Sequence, residues 1–249
     1  MASTGRKTVL VTGAARRFGR AIALDLAAHG WNVMIHYNTS QSEARATAEE
    51  ARGFGVEAKT VQADLAREEE AQGLVAKAGI LDALVNNASI FEYDDWRSAT
   101  RQSWDRHMEI NLRAPFVLAQ EFARQLGGRH GAIVNIIDQR VLKPTPQFMS
   151  YSVSRAGLHW LTTTLAQALA PNVRVNAVAP GPSFIGARQS QAHYETQRAS
   201  TILGGGAQIE DLLGAVRYVL EARSVTGEMI AVDGGQHLAW QTQDVSVQE

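Results

Sequence analysis

Tyr151 and Arg155 stand four residues apart at the start of a helical stretch, so both side chains project from one face and can share a ligand. A guanidinium beside a phenol stabilises the phenolate, which is expected to lower the tyrosine pKa and make it a more useful acid or base near neutral pH. On any one helix such a pair is more often a surface contact, so its neighbours decide the matter. Asp138 closes a β-branched run thirteen residues before Tyr151, and Asn111 lies on the preceding helical stretch. A carboxylate, a phenol, a cation and an amide make a set for moving protons, and Asp138, Tyr151, Arg155 and Asn111 are the catalytic candidates.

A second group could hold a phosphate-bearing ligand. After the first apolar run comes Thr12-Gly13-Ala14-Ala15-Arg16-Arg17-Phe18-Gly19, followed by the apolar helix Ala21–Leu26. Glycines flanking a strand-to-helix turn let the backbone approach a pyrophosphate, which then sits on the positive end of the helix. The second run ends in Val33-Met34-Ile35-His36-Tyr37-Asn38-Thr39-Ser40, where NAD enzymes usually place an acid against the ribose hydroxyls. Here there is none. An acid would repel the extra phosphate of NADP, whereas Arg16 or Arg17, with His36, Asn38, Thr39 and Ser40, would supply charge and donors to it. NADP(H) is therefore the expected cofactor, with Phe18 and Tyr37 completing this side. Asp64 after the third run and Asn86-Asn87-Ala88 after the fourth stand where the adenine and its ribose would lie, and Pro180-Gly181 ends the sixth run, with Ser183 beyond it.

Short β-branched runs alternate with longer amphipathic stretches, the pattern of repeated βαβ units and a mostly parallel sheet. Strands are expected near Thr8–Val11, Asn32–His36, Ala58–Gln62, Ala83–Val85, Ala132–Ile137, Arg174–Val178 and Met229–Val232. Helices are expected near Gly19–His29, Ser42–Gly53, Glu68–Ala78, Trp104–Leu126, Ser150–Leu169 and Ile209–Leu220. This is a Rossmann-like, doubly wound α/β fold in one domain over residues 1–249. Residues 182–206 lack a clear period and directly follow a strand, so they are expected to form a mobile lid over a substrate. A formal net charge of -1 with 20% charged residues gives no electrostatic footprint for nucleic acid. The absence of cysteine removes disulfides, thiolate nucleophiles and cysteine-ligated zinc. The seven histidines are scattered without the spacing of a helical zinc motif, so no metal site is expected. Met1–Lys7 is too short and polar for a signal sequence and no apolar run is long enough to cross a bilayer, which leads us to expect a soluble cytoplasmic protein.

Taken together, Thr12-Gly13…Gly19, Asp64, Asn86-Asn87-Ala88, Asn111, Tyr151, Pro180-Gly181 and Val232-Asp233-Gly234-Gly235 make the chain resemble the short-chain dehydrogenase/reductases (SDRs) along nearly its whole length. The resemblance implies a seven-stranded sheet, a homo-oligomer (tetramer or dimer), and a tyrosine that donates the proton opposite the hydride. Arg17 in place of the usual middle glycine, and Asp138 in place of the usual serine, narrow it toward the pteridine reductases and dihydromonapterin reductases, as do His36-Tyr37 and Asn87-Ala88-Ser89-Ile90-Phe91. That match implies that Asp138 and Tyr151 protonate a ring nitrogen and that the first-turn arginine holds the NADP phosphate. It further implies that Ser89 contacts cofactor or pterin and that Phe91 forms one wall of the substrate site, with Pro182 alongside. The activity implied is NADPH-dependent hydride transfer to a C=N or C=O acceptor, with a pterin-like ring first among candidates. Arg155 stands where the family has its lysine; it keeps the charge but cannot release a proton. Two alternatives stay open: a carbonyl reductase or alcohol dehydrogenase acting on another small substrate, and an NADP-binding protein of impaired turnover.

Overall fold

The computed structural model describes residues 5–183 and 190–240. Seven strands form one parallel sheet: β1 (Thr8–Val11), β2 (Asn32–Tyr37), β3 (Ala58–Gln62), β4 (Ala83–Asn86), β5 (Gly131–Ile136), β6 (Val173–Pro180) and β7 (Met229–Val232). Their order is β3-β2-β1-β4-β5-β6-β7, as a doubly wound sheet requires. The helices are α1 (Arg17–Ala28), α2 (Gln41–Arg52), α3 (Glu68–Ala78), α4 (Arg101–Met108), α5 (Ala114–Leu126), α6 (Met149–Leu169), α7 (Gln191–Ala199) and α8 (Ile209–Glu221).

The strand residues alternate between two apolar layers, because successive side chains of a strand point to opposite faces. Val9 and Val11 of β1 pack with Val33 and Ile35 of β2 beneath α1, α2 and α8, where Ile22, Ala48 and Val216 are buried. Leu10 and Met34 face the other way, toward Leu74 of α3, Phe122 of α5 and Leu165 of α6. With both faces covered, the central strands read as continuous apolar runs, which makes them visible in the sequence; the edge strand β3 (Ala-Lys-Thr-Val-Gln) alternates instead.

Two elements differ from expectation. The helix expected over Trp104–Leu126 is interrupted by a π-helical turn, Glu109–Arg113, between α4 and α5. The wider turn carries Asn111, fully buried, toward α6. In the segment expected to be an aperiodic lid, Gln191–Ala199 is a helix, started by the Ser190 side chain accepting from His193 N–H. None of its residues is buried, so it has no apolar stripe to betray it. Residues 184–189 of that segment lie outside the described residues. Among the described residues, no helix is long and apolar enough to cross a membrane.

The sheet order reverses between β1 and β4. Ligands of such sheets bind beyond the carboxyl ends of the strands at that switch point. The turns after β1, β2, β4, β5 and β6 all open there.

Candidate active site

A cleft of about 1080 Å³ runs across the carboxyl ends of the strands, from Gly13, Asn38 and Asp64 at one end to Phe91, Asp138 and Tyr151 at the other. At the first end the backbone is drawn in tightly. Gly13 has φ +63°, and a β-carbon on it would press on Ala88; one on Gly19 would collide with Gly13 O and Asn87 Nδ2. Asn87 locks this contact, donating from Nδ2 to Thr12 O at 2.8 Å. Thr12 Oγ1 in turn accepts from the backbone N–H groups of Asn87 (2.9 Å) and Ala88 (3.0 Å). Thr12, which opens the glycine turn, is thus part of the site although its residue type does not mark it as such in the sequence.

Arg17 adopts φ +51°, the left-handed region, at the place where a glycine was expected from the family pattern. Such a conformation costs a non-glycine residue on the order of 1 kcal/mol, and the chain bears that cost while keeping a cation at the mouth of the turn. Arg17, Phe18 and the exposed Arg16 all line the cleft, Arg16 being ion-paired with Glu43. Asn38 also lines it and donates to Asp64 Oδ1 at 3.3 Å, which ties the ends of β2 and β3 together. Thr39 is exposed and Ser40 half-buried at the start of α2.

Two expectations on this side need correction. His36 was expected to offer charge to a phosphate, yet it is 2% exposed and both ring nitrogens are engaged. Nδ1 accepts from Gly13 N–H at 3.0 Å, which leaves Nε2–H to donate to Ala63 O at 3.1 Å. Burial lowers its pKa to about 4, against the pull of Ala63 O and Asp64, so the ring is neutral near pH 7 and braces the turn. Tyr37 was grouped with the cofactor contacts, but its side chain is buried in the apolar layer under α1 and α2.

At the other end, Tyr151 Oη donates to Asp138 Oδ2 at 2.8 Å, while Asp138 Oδ1 accepts from Arg140 N–H at 2.9 Å. Tyr151 is 5% exposed and Arg155 is 3% exposed. The Arg155 guanidinium carbon lies 5.2 Å from the Tyr151 ring centre, and Nη1 donates to Ile136 O at 3.4 Å. Its buried Nε has no hydrogen-bond partner. The expected depression of the phenol pKa does not occur. Burial first, and the Asp138 charge second, hold it well above the ordinary tyrosine value, and Arg155 pulls downward without prevailing. In this environment Tyr151 keeps its proton, as a donor does and a ready-made phenolate does not.

Asn111 does not reach the phenol. Its amide brackets Ile90, accepting from Ile90 N–H at 2.9 Å and donating to Ile90 O at 3.0 Å, and it donates to Ser154 Oγ at 3.2 Å. It thereby fixes the loop carrying Ser89 and Phe91 against α6, as a positioning residue. Ser89, exposed, donates to Ile90 O at 3.1 Å. Phe91 stacks on Phe148 with ring centres 4.3 Å apart and meets the Tyr151 ring edge-on at 4.6 Å. Pro180, Gly181, Pro182 and Ser183 form the opposite lip of the cleft. A β-carbon on Gly181 would collide with Asp233, so β6 and β7 can close together only over glycine.

Several residues of the site carry little signal in the sequence. Phe148 precedes α6 with φ +55°, and its aromatic ring extends the wall begun by Phe91. The first turn of α6 is capped from a distance: buried Asp94 accepts from Ser150 N–H at 3.0 Å and from its hydroxyl, and its backbone oxygen accepts from Met149 N–H at 3.2 Å. His107, fully buried, contacts Ser150 Oγ at 2.7 Å, and its ring lies edge-on to Tyr151 with centres 6.1 Å apart. The one available signal was spacing. His107 and Asn111, four apart, share a helical face, and Ser150 adjoins Tyr151.

This geometry has well-defined relatives. The sequence profile of the short chain dehydrogenase family matches residues 7–193. Among curated proteins, the 3-oxoacyl-[acyl-carrier-protein] reductase FabG of Staphylococcus epidermidis is 34% identical over 244 residues, covering 93% of this chain and 99% of its own. Among solved structures, FolM alternative dihydrofolate reductase 1 from Brucella canis, complexed with NADP, superposes with a TM-score of 0.92 at 47% identity, covering 96% of this chain and 97% of its own. A blue fluorescent protein from a metagenomic library, in complex with NADPH, gives a TM-score of 0.85 at 31% identity over 93% of this chain and 98% of its own. With the family profile matched over residues 7–193 and relatives at 34% and 47% identity over nearly the whole chain, the chain belongs to the short chain dehydrogenase family of oxidoreductases.

Proposed function

We propose that the protein is an NADPH-dependent reductase of a planar, conjugated C=N acceptor of pterin type. The observation that carries this reading is the Asp138–Tyr151 hydrogen bond at 2.8 Å beside the Phe91 ring, a proton donor and a flat wall side by side. The likeness to the Brucella canis dihydrofolate reductase supports it. The residues fit NADP(H): Gly13 and Gly19 leave a cradle that β-carbons would fill, Arg17 holds a left-handed conformation at its mouth, and buried Arg155 Nε lacks a partner that a ribose hydroxyl would provide. No acid closes β2 against a 2′-phosphate. NADPH, when bound, supplies the hydride.

The chain's own residues then do the rest. Tyr151 carries the transferable proton at Oη, and Asp138 orients it. Phe91 sets the plane of the ring, and Arg155 offsets negative charge that develops at the reacting end. Asn111 holds the Phe91 loop in register with α6. The exposed Trp160 and Val153 on α6 support a homo-oligomer, which sedimentation would test.

The test is NADPH oxidation followed with dihydropteridines and a carbonyl panel in parallel. Turnover confined to the carbonyls would replace this reading with a carbonyl reductase, the reading favoured by the 34% identity to the staphylococcal oxoacyl reductase. Tight NADPH binding with no turnover on either set would replace it with a binder impaired by Arg155.

A further inference from the structure

Arg140 has no part in the chemistry described so far, yet it sits at the reactive end of the cleft. It belongs to the short 3-10 turn Gln139–Val141 that follows Asp138. Its backbone N–H holds Asp138, as above, while its guanidinium carbon lies 5.6 Å from the centre of the Phe91 ring and 5.1 Å from that of Phe148. The cation is thus laid against the same two rings that form the substrate wall. Cation–π contact of this kind is weak, and it does not replace the hydrogen bonds that water gave the guanidinium. Nη1 is buried and has no hydrogen-bond partner. Among the described residues no carboxylate lies within ion-pairing distance of it, whereas Arg16, Arg20, Arg106, Arg113 and Arg217 each have one. The nearby Asp138 is already taken by the phenol and by a backbone N–H.

A half-buried cation without an anion is costly, and the cost is recovered when a ligand brings the anion. The 2′-phosphate of NADP does not meet this need, because Arg16 and Arg17 stand after β1 and Arg140 stands after β5, at opposite ends of the cleft. The anion must come with the molecule that lies on Phe91. A planar fork fixed against an aromatic platform is suited to a carboxylate, which it can grip through two donors.

We propose that Arg140 is the specificity-determining residue of the substrate end, binding a carboxylate on the acceptor, so that the preferred acceptor is a pterin-type ring with an anionic side chain. The inference rests on the pteridine reading above and names the substrate class within it.

Kinetics with NADPH on three acceptors test it: dihydrofolate, its uncharged dimethyl ester, and 6-methyl-7,8-dihydropterin. The wild type is expected to favour the acid over the ester by roughly tenfold in kcat/KM, mostly through KM. R140M is expected to collapse that ratio to about one, and R140K to restore part of it. A wild type that treats acid and ester alike overturns the proposal, as does an R140M variant that retains the ratio. Should R140M fail to fold, the acid-to-ester ratio of the wild type and its change in R140K decide alone. If none of the three acceptors is reduced, the pteridine reading falls and this inference with it; if all three are reduced without charge preference, only the role of Arg140 falls.

Discussion

Acidification from about pH 7 to about pH 5 should weaken the fold through His36, whose ring is sealed between Gly13 N–H and Ala63 O. The free imidazole value is 6.5, and burial lowers it to about 4 in the folded chain. As pH falls below 6.5 the unfolded chain takes up the proton first, so the contribution of the neutral ring is fully present above 6.5 and is lost as pH falls toward 4. A gap of that size is worth about 3 kcal/mol in full, of which about 2 kcal/mol is lost by about pH 5. Other groups titrate in the same window, so the comparison must be with His36→Asn, whose amide oxygen can still accept from Gly13 N–H but takes no proton. Urea unfolding at both pH values gives the slopes. The wild type should lose about 2 kcal/mol more than the variant on acidification. Losses that agree within about 0.5 kcal/mol would refute the placement of His36 as a buried neutral brace.

Four further outcomes are expected. Asp138→Ala should lower kcat and alter the pH–rate profile while NADPH affinity stays nearly intact; an unchanged profile at wild-type turnover removes Asp138 from proton delivery. Arg155→Met should cost on the order of a hundredfold in kcat/KM, or ~2.7 kcal/mol, and Arg155→Lys should retain or increase activity; an inactive wild type rescued by lysine would mark the chain as an impaired enzyme. Fluorescence titration should show NADPH binding more tightly than NADH, with Arg17→Ala eroding the preference more than it weakens NADH; equal affinities would sink the cofactor assignment. Asp94→Ala removes the remote cap of α6 and should cost about 1–2 kcal/mol in urea unfolding, with kcat falling more than KM rises because the turn bearing Tyr151 loosens; wild-type kcat in a destabilised variant would make Asp94 a stability residue alone.

What could be read from the sequence follows from which forces write a pattern into it. Strands buried on both faces leave unbroken apolar runs, so the central strands stood out, and all seven were found with ends one or two residues off at β2, β4, β5 and β6. Helices with one buried face leave a 3.6-residue period, and α7, which buries nothing, left none. The π-helical turn at Asn111 escaped because the apolar pattern runs on through it into α5. In the cleft, the meeting of Asp138 with Tyr151 was legible because a strand end and the following helix start are close in any such fold. The aromatic wall was only half legible: Phe91 stood in a family pattern, but Phe148 reaches it through a left-handed backbone that no neighbouring glycine announced. His36 and Tyr151 were misjudged for one shared reason. Residue type suggests which charge a side chain can carry, whereas burial decides whether it carries it, and burial is a property of the packed molecule.

The raised pKa of Tyr151 also reconciles the arginine with the rest of the site. A lysine near a phenol can both steady it and pass a proton; an arginine can only do the first. If Tyr151 worked as a standing phenolate, the loss of a relay would leave it without a source of protons. It does not stand as one here, because burial and the Asp138 charge keep the phenol neutral. Reprotonation then needs a group that touches Tyr151 Oη and also meets water. Asp138 does both, accepting from the phenol at 2.8 Å while remaining half-buried at the edge of the cleft. Arg155, fully inside, has charge to contribute and no proton to carry. On the function proposed above, Asp138 would carry the proton path that an arginine cannot, and the fixed cation of Arg155 would keep the charge.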